Sequence, residues 1–293
     1  FIGYQTTLRE LDNLYFTTTF DDTAAAAVAL DSDINADQEG EGYHLNDFAP
    51  GQRYLRGLYS GGTLAYEAQL ILEGYLPTVY SNAPIKKEFK LANSLVSQEH
   101  TIVDLGEDEF TVGRLHPMMD NELRLKRLAA EAEDPETALI LLDVVLGYGS
   151  HPDPASELAP GIASAKKAAE KEGRHLEVVI TLSGTETDPQ GRDAQLEKLK
   201  EAGAKVFLSS DAAVRYAGKL AAALNGTKED SSAVDFTPVD LATLSGKFSA
   251  INVGLDSFTE SLKAQDAEVV QVDWKPAAGG NTDMMALLEK MKG

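Results

Sequence analysis

Ser60-Gly61-Gly62-Thr63 interrupts LRGLYSGGTLAYEAQLIL where a strand-like apolar run gives way to a helix-periodic one. Two glycines and two hydroxyls at such a turn leave the first amides of the helix uncrowded. The positive end of the helix points the same way. That composition suits a small anion, a phosphate or a carboxylate. It equally suits a tight turn in which the glycines only reverse the chain and Thr63 only caps the helix. No Lys follows the glycines in P-loop spacing, and the G-x-G-x-x-G dinucleotide pattern is absent.

Three other stretches carry comparable chemistry. In GYGSHPDPA (147–155), Gly147 and Gly149 permit close backbone approach to a ligand, and Ser150 and His151 add polar contacts. His151 has the chemistry of an acid, a base or a covalent nucleophile, and equally that of a surface histidine beside a turn. Asp153 or Ser156 suits the cap of the helix that follows. FTVGRLHPMMD (110–120) sets Arg114 and His116 in a loop ahead of a helix, with Asp120 as the expected cap. An Arg and a His together suit a phosphate or carboxylate, and a plain surface loop has the same residues. In SGTETDPQGR (183–192), Gly184, Thr185 and Glu186 suit a ligand and Arg192 an anion, while Asp188-Pro189 reads as an ordinary helix start. The 5 histidines show no paired spacing, so no metal site is expected.

The elements that must position these residues follow from periodicity. LYFTTTF (14–20) reads as a strand, and Asp21-Asp22 as caps of the alanine-rich helix behind it. Residues 31–49 are an acidic linker. Beyond Pro50-Gly51, strands GLYS, HTIVDLG, TALILLDVVLG, LEVVITLSG and AKVFLSS alternate with helices over 63–74, 120–133, 155–173, 190–202 and 211–224. That alternation predicts an open parallel α/β sheet, with TALILLDVVLG buried on both faces. Ligands in such sheets bind beyond the carboxyl ends of the strands, and all four chemical stretches lie at those ends. A second polar linker, 226–240, precedes a small tail: strand FSAINVG, helix LDSFTESLKAQ, strand EVVQVDW, a Pro-Ala-Ala-Gly-Gly turn and a final helix. The expected domains are a remnant with linker (1–50), the α/β domain (51–226) and a C-terminal α/β appendage (236–293) that docks.

Composition bounds the function classes. A formal net charge of −21 over 293 residues argues against a nucleic-acid partner. No apolar run is long enough to span a membrane, and FIGYQTTLRE is not a signal peptide. With 0 cysteines, disulfides and thiol chemistry are excluded, and a cytoplasmic location is expected. FIGY reads as the end of a strand, from which an upstream portion is expected.

GLYSGGTLAYEA, IVDLGEDEFTVGRLHPMMD, LILLDVVLGYGSHPDPA, VVITLSGTETDPQ and INVGLDSF…VVQVDWKPAAGG together resemble the C-terminal half of the FdrA proteins, an acyl-CoA synthetase-like family. More distantly, residues 57–225 are similar to the flavodoxin-like C-terminal domain of the succinyl-CoA synthetase β subunit. The resemblance implies a flavodoxin-like parallel sheet in which SGGT opens a helix facing a phosphate. GYGS and SGTE would then wall the same pocket. It further implies an upstream CoA-binding-type portion or separate subunits, a multi-subunit or oligomeric assembly, and CoA or an acyl phosphate as the group handled, with no covalently bound cofactor. Family members are linked to oxamate carbamoyltransferase, and carbamoyl phosphate is an acyl phosphate. A nucleoside-diphosphate-forming acyl-CoA ligase component and a non-catalytic structural or regulatory subunit are the alternatives.

Overall fold

The computed structural model describes residues 10–11, 14–31, 44–226 and 249–275, with single positions 284, 287 and 290 in the tail. The expected linker tracts 32–43 and 227–240, the turn at 276–280 and all but those single positions of the expected final helix lie outside them. The chain divides into two compact units, 1–236 and 237–293.

The first unit is built on strands β3 (Tyr54–Tyr59), β4 (Tyr80–Ser81), β5 (Thr101–Asp104), β6 (Thr137–Val145), β7 (Glu177–Ser183) and β8 (Lys205–Phe207). They form one six-stranded sheet in the order β4-β5-β3-β6-β7-β8, parallel at every pairing. Apart from the edge strand β4, this is the flavodoxin-like order, whose switch point lies between the first and third strands, here β3 and β6. The chain leaves β3 toward one side, returns through β5, then crosses over β3 to β6.

Helices cover both faces, as an all-parallel sheet requires. Leu128 and Ala132 of α4 (Glu122–Glu133), Leu158 and Ile162 of α5 (Pro154–Lys171) and Leu199 of α6 (Arg192–Glu201) pack on one face. Ala65, Ala68 and Leu72 of α2 (Gly62–Leu72), with Ala213 and Leu220 of α7 (Ser210–Leu224), cover the other. β6 carries eight consecutive buried residues, so the continuous apolar run was correctly read as a central strand. Among the described residues no helix is long and apolar enough to cross a membrane.

Several local expectations are corrected. Only Leu14–Tyr15 of the 14–20 stretch is strand; it is β2, paired antiparallel with β1 (Glu10–Leu11). Phe20 already begins helix α1 (Phe20–Asp31), because the Thr19 hydroxyl accepts from the Asp22 amide (3.1 Å) as a cap does. Asp21 and Asp22 therefore sit in its first turn. Asn121, not Asp120, precedes α4, although Asp120 Oδ1 accepts from the Glu122 amide at 2.8 Å. A one-turn helix α3 (Asp108–Thr111) overlaps the start of the 110–120 stretch read as a loop. In the second unit, β9 (Ser249–Asn252) and β10 (Glu268–Gln271) pair in parallel around helix α8 (Asp256–Lys263).

Two predictions follow from this packing. Leu141→Ala, at a fully buried site in β6, should lower the stability seen in urea unfolding by about 2–5 kcal/mol. His100 is buried and its Nδ1 accepts from the Leu55 amide at 3.2 Å, a bond only an unprotonated nitrogen makes. Burial, then the Arg56 charge, lowers its pKa from 6.5 to about 4. The unfolded chain thus binds the extra proton first, so stability present above pH 6.5 is lost as pH falls toward 4. Urea midpoints at several pH values should show this loss, up to roughly 3 kcal/mol from this group, diminished in His100→Gln.

Candidate functional site

The turn after β3 is a helix start capped by glycine. Gly61 is the N-cap of α2, extended at φ −164°, with no side-chain cap bond, so Thr63 lies within the first turn and does not cap it. The first intrahelical bond runs from the Ala65 amide to the Gly61 carbonyl at 3.3 Å. The amides of Gly62, Thr63 and Leu64 are left without an intrahelical acceptor.

These amides open on a cleft of about 620 Å³ lined by Gly62, Thr63, Tyr66, Gln69, Asp104 and Glu107, among others. Asp104 ends β5 and stands close to the turn: a Cβ on Gly62 would lie 2.8 Å from Asp104 Oδ2. On its other side, a Cβ on Gly106 would lie 2.8 Å from the Ser60 carbonyl, 2.9 Å from His116 Nε2 and 3.1 Å from Asp104 Oδ1. The turn, the β5 end and the His116 ring therefore converge on Gly106, which leaves no room for a side chain. Burial raises the Asp104 pKa, as do the neighbouring Glu107 and Asp143 carboxylates; the Gly106 amide (2.8 Å) and His116 oppose this. His116 Nδ1 accepts from the Met118 amide at 3.2 Å.

Asp143, near the end of β6, sits at the switch point. Its Oδ1 accepts from the Ser60 amide (2.7 Å) and its Oδ2 from the Ser60 hydroxyl. Arg124 of α4 closes the pair, with Nη1 at 2.9 Å from Asp143 Oδ1. Both side chains are almost fully buried, at 3% and 1% exposure, which marks the pair as structural rather than a surface contact. Arg124 also donates to Asn121 Oδ1 (2.8 and 3.1 Å), and Asn121 donates to Glu157 Oε2 at 2.7 Å. Glu157 in turn faces His151 Nε2 at 3.3 Å. One polar chain thus runs from the SGGT turn to His151.

The remaining predicted residues are distributed around this chain. His151 accepts the Asp153 amide at Nδ1 (3.1 Å) as well, so both ring nitrogens are engaged. Its amide donates to the Met118 carbonyl at 2.7 Å, tying the GYGS loop to the loop that carries His116. Gln190 bridges to Gly147 through both its amide oxygen (3.0 Å) and nitrogen (2.7 Å), stitching the SGTE loop to the GYGS loop. Ser150 donates its amide to the Gly147 carbonyl within that turn. Thr185 is engaged locally, its amide donating to Asp188 Oδ2 at 2.6 Å, and Arg192 reaches Glu186 at 2.7 Å. Asp153 caps α5 as expected, accepting from the Ser156 amide. A Cβ on Gly184 would lie 2.7 Å from Leu146 Cβ, so that glycine has a packing reason. Arg114 lines a separate hollow of about 270 Å³ with Phe110, Asp120 and Lys126, not the SGGT cleft.

Asp104, Arg124, Asp143, Glu157 and Gln190 were not anticipated. Asp143 alone carried a signal, as the single charge within TALILLDVVLG.

A family model described as CoA-ligase matches residues 58–220. The chain is 42% identical over 161 residues to the uncharacterized protein YahF of Escherichia coli strain K12. That alignment covers 55% of this chain and 31% of YahF, so the chain spans under a third of that relative's length.

Replacing Asp143 by Asn leaves the buried Arg124 charge without its counter-ion. Unfolding in urea should show a loss of about 3–5 kcal/mol, and replacing Arg124 by Met in the same chain should recover part of it. Strictly additive losses from the two substitutions would show that the pair does not couple.

Proposed function

The chain belongs to the CoA-ligase family, and on that premise we propose that its SGGT-led cleft handles an acyl phosphate or acyl-CoA group within an acyl-CoA synthetase-like protein of the FdrA type. The narrower reading is a subunit of an oxamate carbamoyltransferase, transferring a carbamoyl group to or from phosphate together with partner subunits. The CoA-binding-type portion or subunits that supply CoA are part of the same reading.

Gly61 carries it. The residue is extended, a conformation any side chain adopts, and a Cβ there would meet nothing within 4 Å. Neither a positive φ nor packing requires glycine there, and Ser, Asp or Asn would cap the helix better, whereas a ligand seated on the α2 amides does require it. Gly149 at the β6 end is equally unconstrained, with nothing within 4 Å of a Cβ. The phosphate of the ligand would rest on the Gly62 and Thr63 amides with the Thr63 hydroxyl. Ser60 is already held by Asp143 and positions the turn.

Asp104 and Glu107 favour the carbamoyl reading. A ligand that is anionic throughout is repelled by carboxylates at the helix end, while a carbamoyl –NH2 donates to them as its phosphate meets the amides. His116, whose ring meets Asp104 at Gly106, is the candidate acid or base. The ring of His151, engaged at both nitrogens, serves better as a support. Family membership also favours a second reading, a component of a nucleoside-diphosphate-forming acyl-CoA ligase.

Phosphate release from carbamoyl phosphate plus oxamate, and thioester formation from CoA, are to be measured for the chain alone and with its partner proteins. Release only with partners is expected; thioester formation without carbamoyl transfer selects the ligase reading, and neither activity leaves a structural subunit. Gly61→Val should weaken binding of phosphate or carbamoyl phosphate about tenfold or more, roughly 1.4 kcal/mol, while the loss of a glycine N-cap lowers the stability seen in urea by no more than about 1 kcal/mol. Gly61 is the cleaner position than Gly62, where a side chain would strike Asp104. Parent-like binding by the folded variant would reduce the glycines to a turn.

A further inference from the structure

In the second unit the polar face of the sheet is covered and the apolar face is bare. Its sheet is the parallel pair β9 and β10, joined through α8. On the α8 side, Asn252 Nδ2 donates to Gln271 Oε1 at 2.7 Å, and the Thr259 hydroxyl of α8 bonds the same oxygen. Gln271 Nε2 donates to the Gly254 carbonyl at 3.1 Å. Side chains alternate along a strand, so the opposite face carries Ile251 and Val253 on one side and Val270 and Val272 on the other. The Val272 amide donates to the Asn252 carbonyl at 2.8 Å, which carries the ladder one residue past β10.

This face is open to solvent. Ile251 is 73% exposed, Val253 58%, Val270 59% and Val272 36%, and Trp274 just beyond them is 67% exposed. Among the described residues after 248, Thr259 alone is buried, while nine large apolar side chains are exposed. Parallel sheets are covered on both faces, and two strands with one helix cannot bury an apolar face by themselves. An exposed apolar patch of this kind marks a contact surface.

The register identifies the occupant. Gln271 pairs with Asn252, and Val270 with Ile251. A two-fold axis between two stacked sheets, crossing the strands at the Gln271–Asn252 pair, sets Val270 against the partner's Val272. The same rotation sets Ile251 against the partner's Val253, so both strands match at once. The one charge that alternation places on this face among the described residues, Glu268, stands at its end. The rotation carries it toward the partner's Trp274 and Lys275, which adds opposite sign at the rim; Lys275 also meets Asp273 at 3.0 Å. In a chain of net charge −21, two copies can approach closely only through a face whose centre holds no carboxylate. We propose that the apolar face of the second unit pairs two copies of this chain, their sheets stacked face to face with the α8 helices outermost. The contact goes beyond the proposed activity and does not depend on it, since the SGGT cleft belongs to the first unit.

Sedimentation velocity of the whole chain from about 5 to about 200 µM tests this. The mass should rise from 31.5 kDa toward twice that value. A patch at the low end of interface sizes should give a dissociation constant of about 10–100 µM. Emission of Trp274, the single tryptophan, should shift to the red on dilution through the same range. Val270→Asp should stay monomeric throughout, and so should Val272→Lys, each with the thermal transition of the first unit unchanged. Mixing these two variants should restore a dimer, because the rotation sets the new carboxylate against the new ammonium. Ile251→Thr keeps β-branching, should weaken association about tenfold, and carries the test if the charged variants disturb β10. A parent chain that stays monomeric at about 200 µM, as it would if the face belonged to a different protein, overturns the proposal. So does a dimer that survives Val270→Asp, or folded charged variants that fail to associate when mixed.

Discussion

A carboxylate and a guanidinium cannot lie dry inside a fold unless nearly every lone pair and proton is matched, and the carboxyl edge of this sheet is organised around that demand. Taking either ion from water costs several kcal/mol. Asp143 offsets this by accepting the Ser60 amide, the Ser60 hydroxyl and Arg124; Arg124 also reaches the Asp143 carbonyl and Asn121. Because Ser60 directly precedes the two glycines, the direction of the first α2 amides is set by this one charge. Because Asn121 hands the chain on to Glu157, so are the start of α5 and the loop that carries His116 and Met118. Three loops at the switch point hang on a single buried pair, which explains how irregular, glycine-rich segments keep a defined cleft.

Much of the architecture was legible because it rests on long-range periodicity. The apolar run of β6 is buried on both faces and could only be central, and the short connections between alternating elements left parallel crossovers as the simplest topology. The misread elements are those where a few hydrogen bonds outweigh the pattern. Thr19 turned a β-like stretch into a helix start, and α3 is one turn within an acid-rich run. β4 has two residues and no period to read. That SGGT lies at the carboxyl edge was legible from strand ends alone; that this edge is the switch point needed the strand order. Its supports were not: Arg124 looks like any polar residue of an amphipathic helix until the fold brings it to Asp143, and Asp104 looks like the end of any DLG strand.

The same register accounts for the acidity of the site. Asp104, Tyr59, Asp143 and Thr181 form one row across four strands, so the charges of the row bear on the cleft above Gly62. Arg124 neutralises the middle of the row, and the ends are left to other means. At the cleft end, burial raises the Asp104 pKa against the Gly106 amide and His116, and its carboxylate stands close to the start of α2. A ligand that binds there has to match both signs within a few ångströms. In a chain of net charge −21, the unpaired α2 amides supply a positive end without any cationic side chain among the cleft residues. Selectivity then rests on the ligand's own donors as much as on its negative charge, because an anion without donors loses to the carboxylates what it gains from the helix.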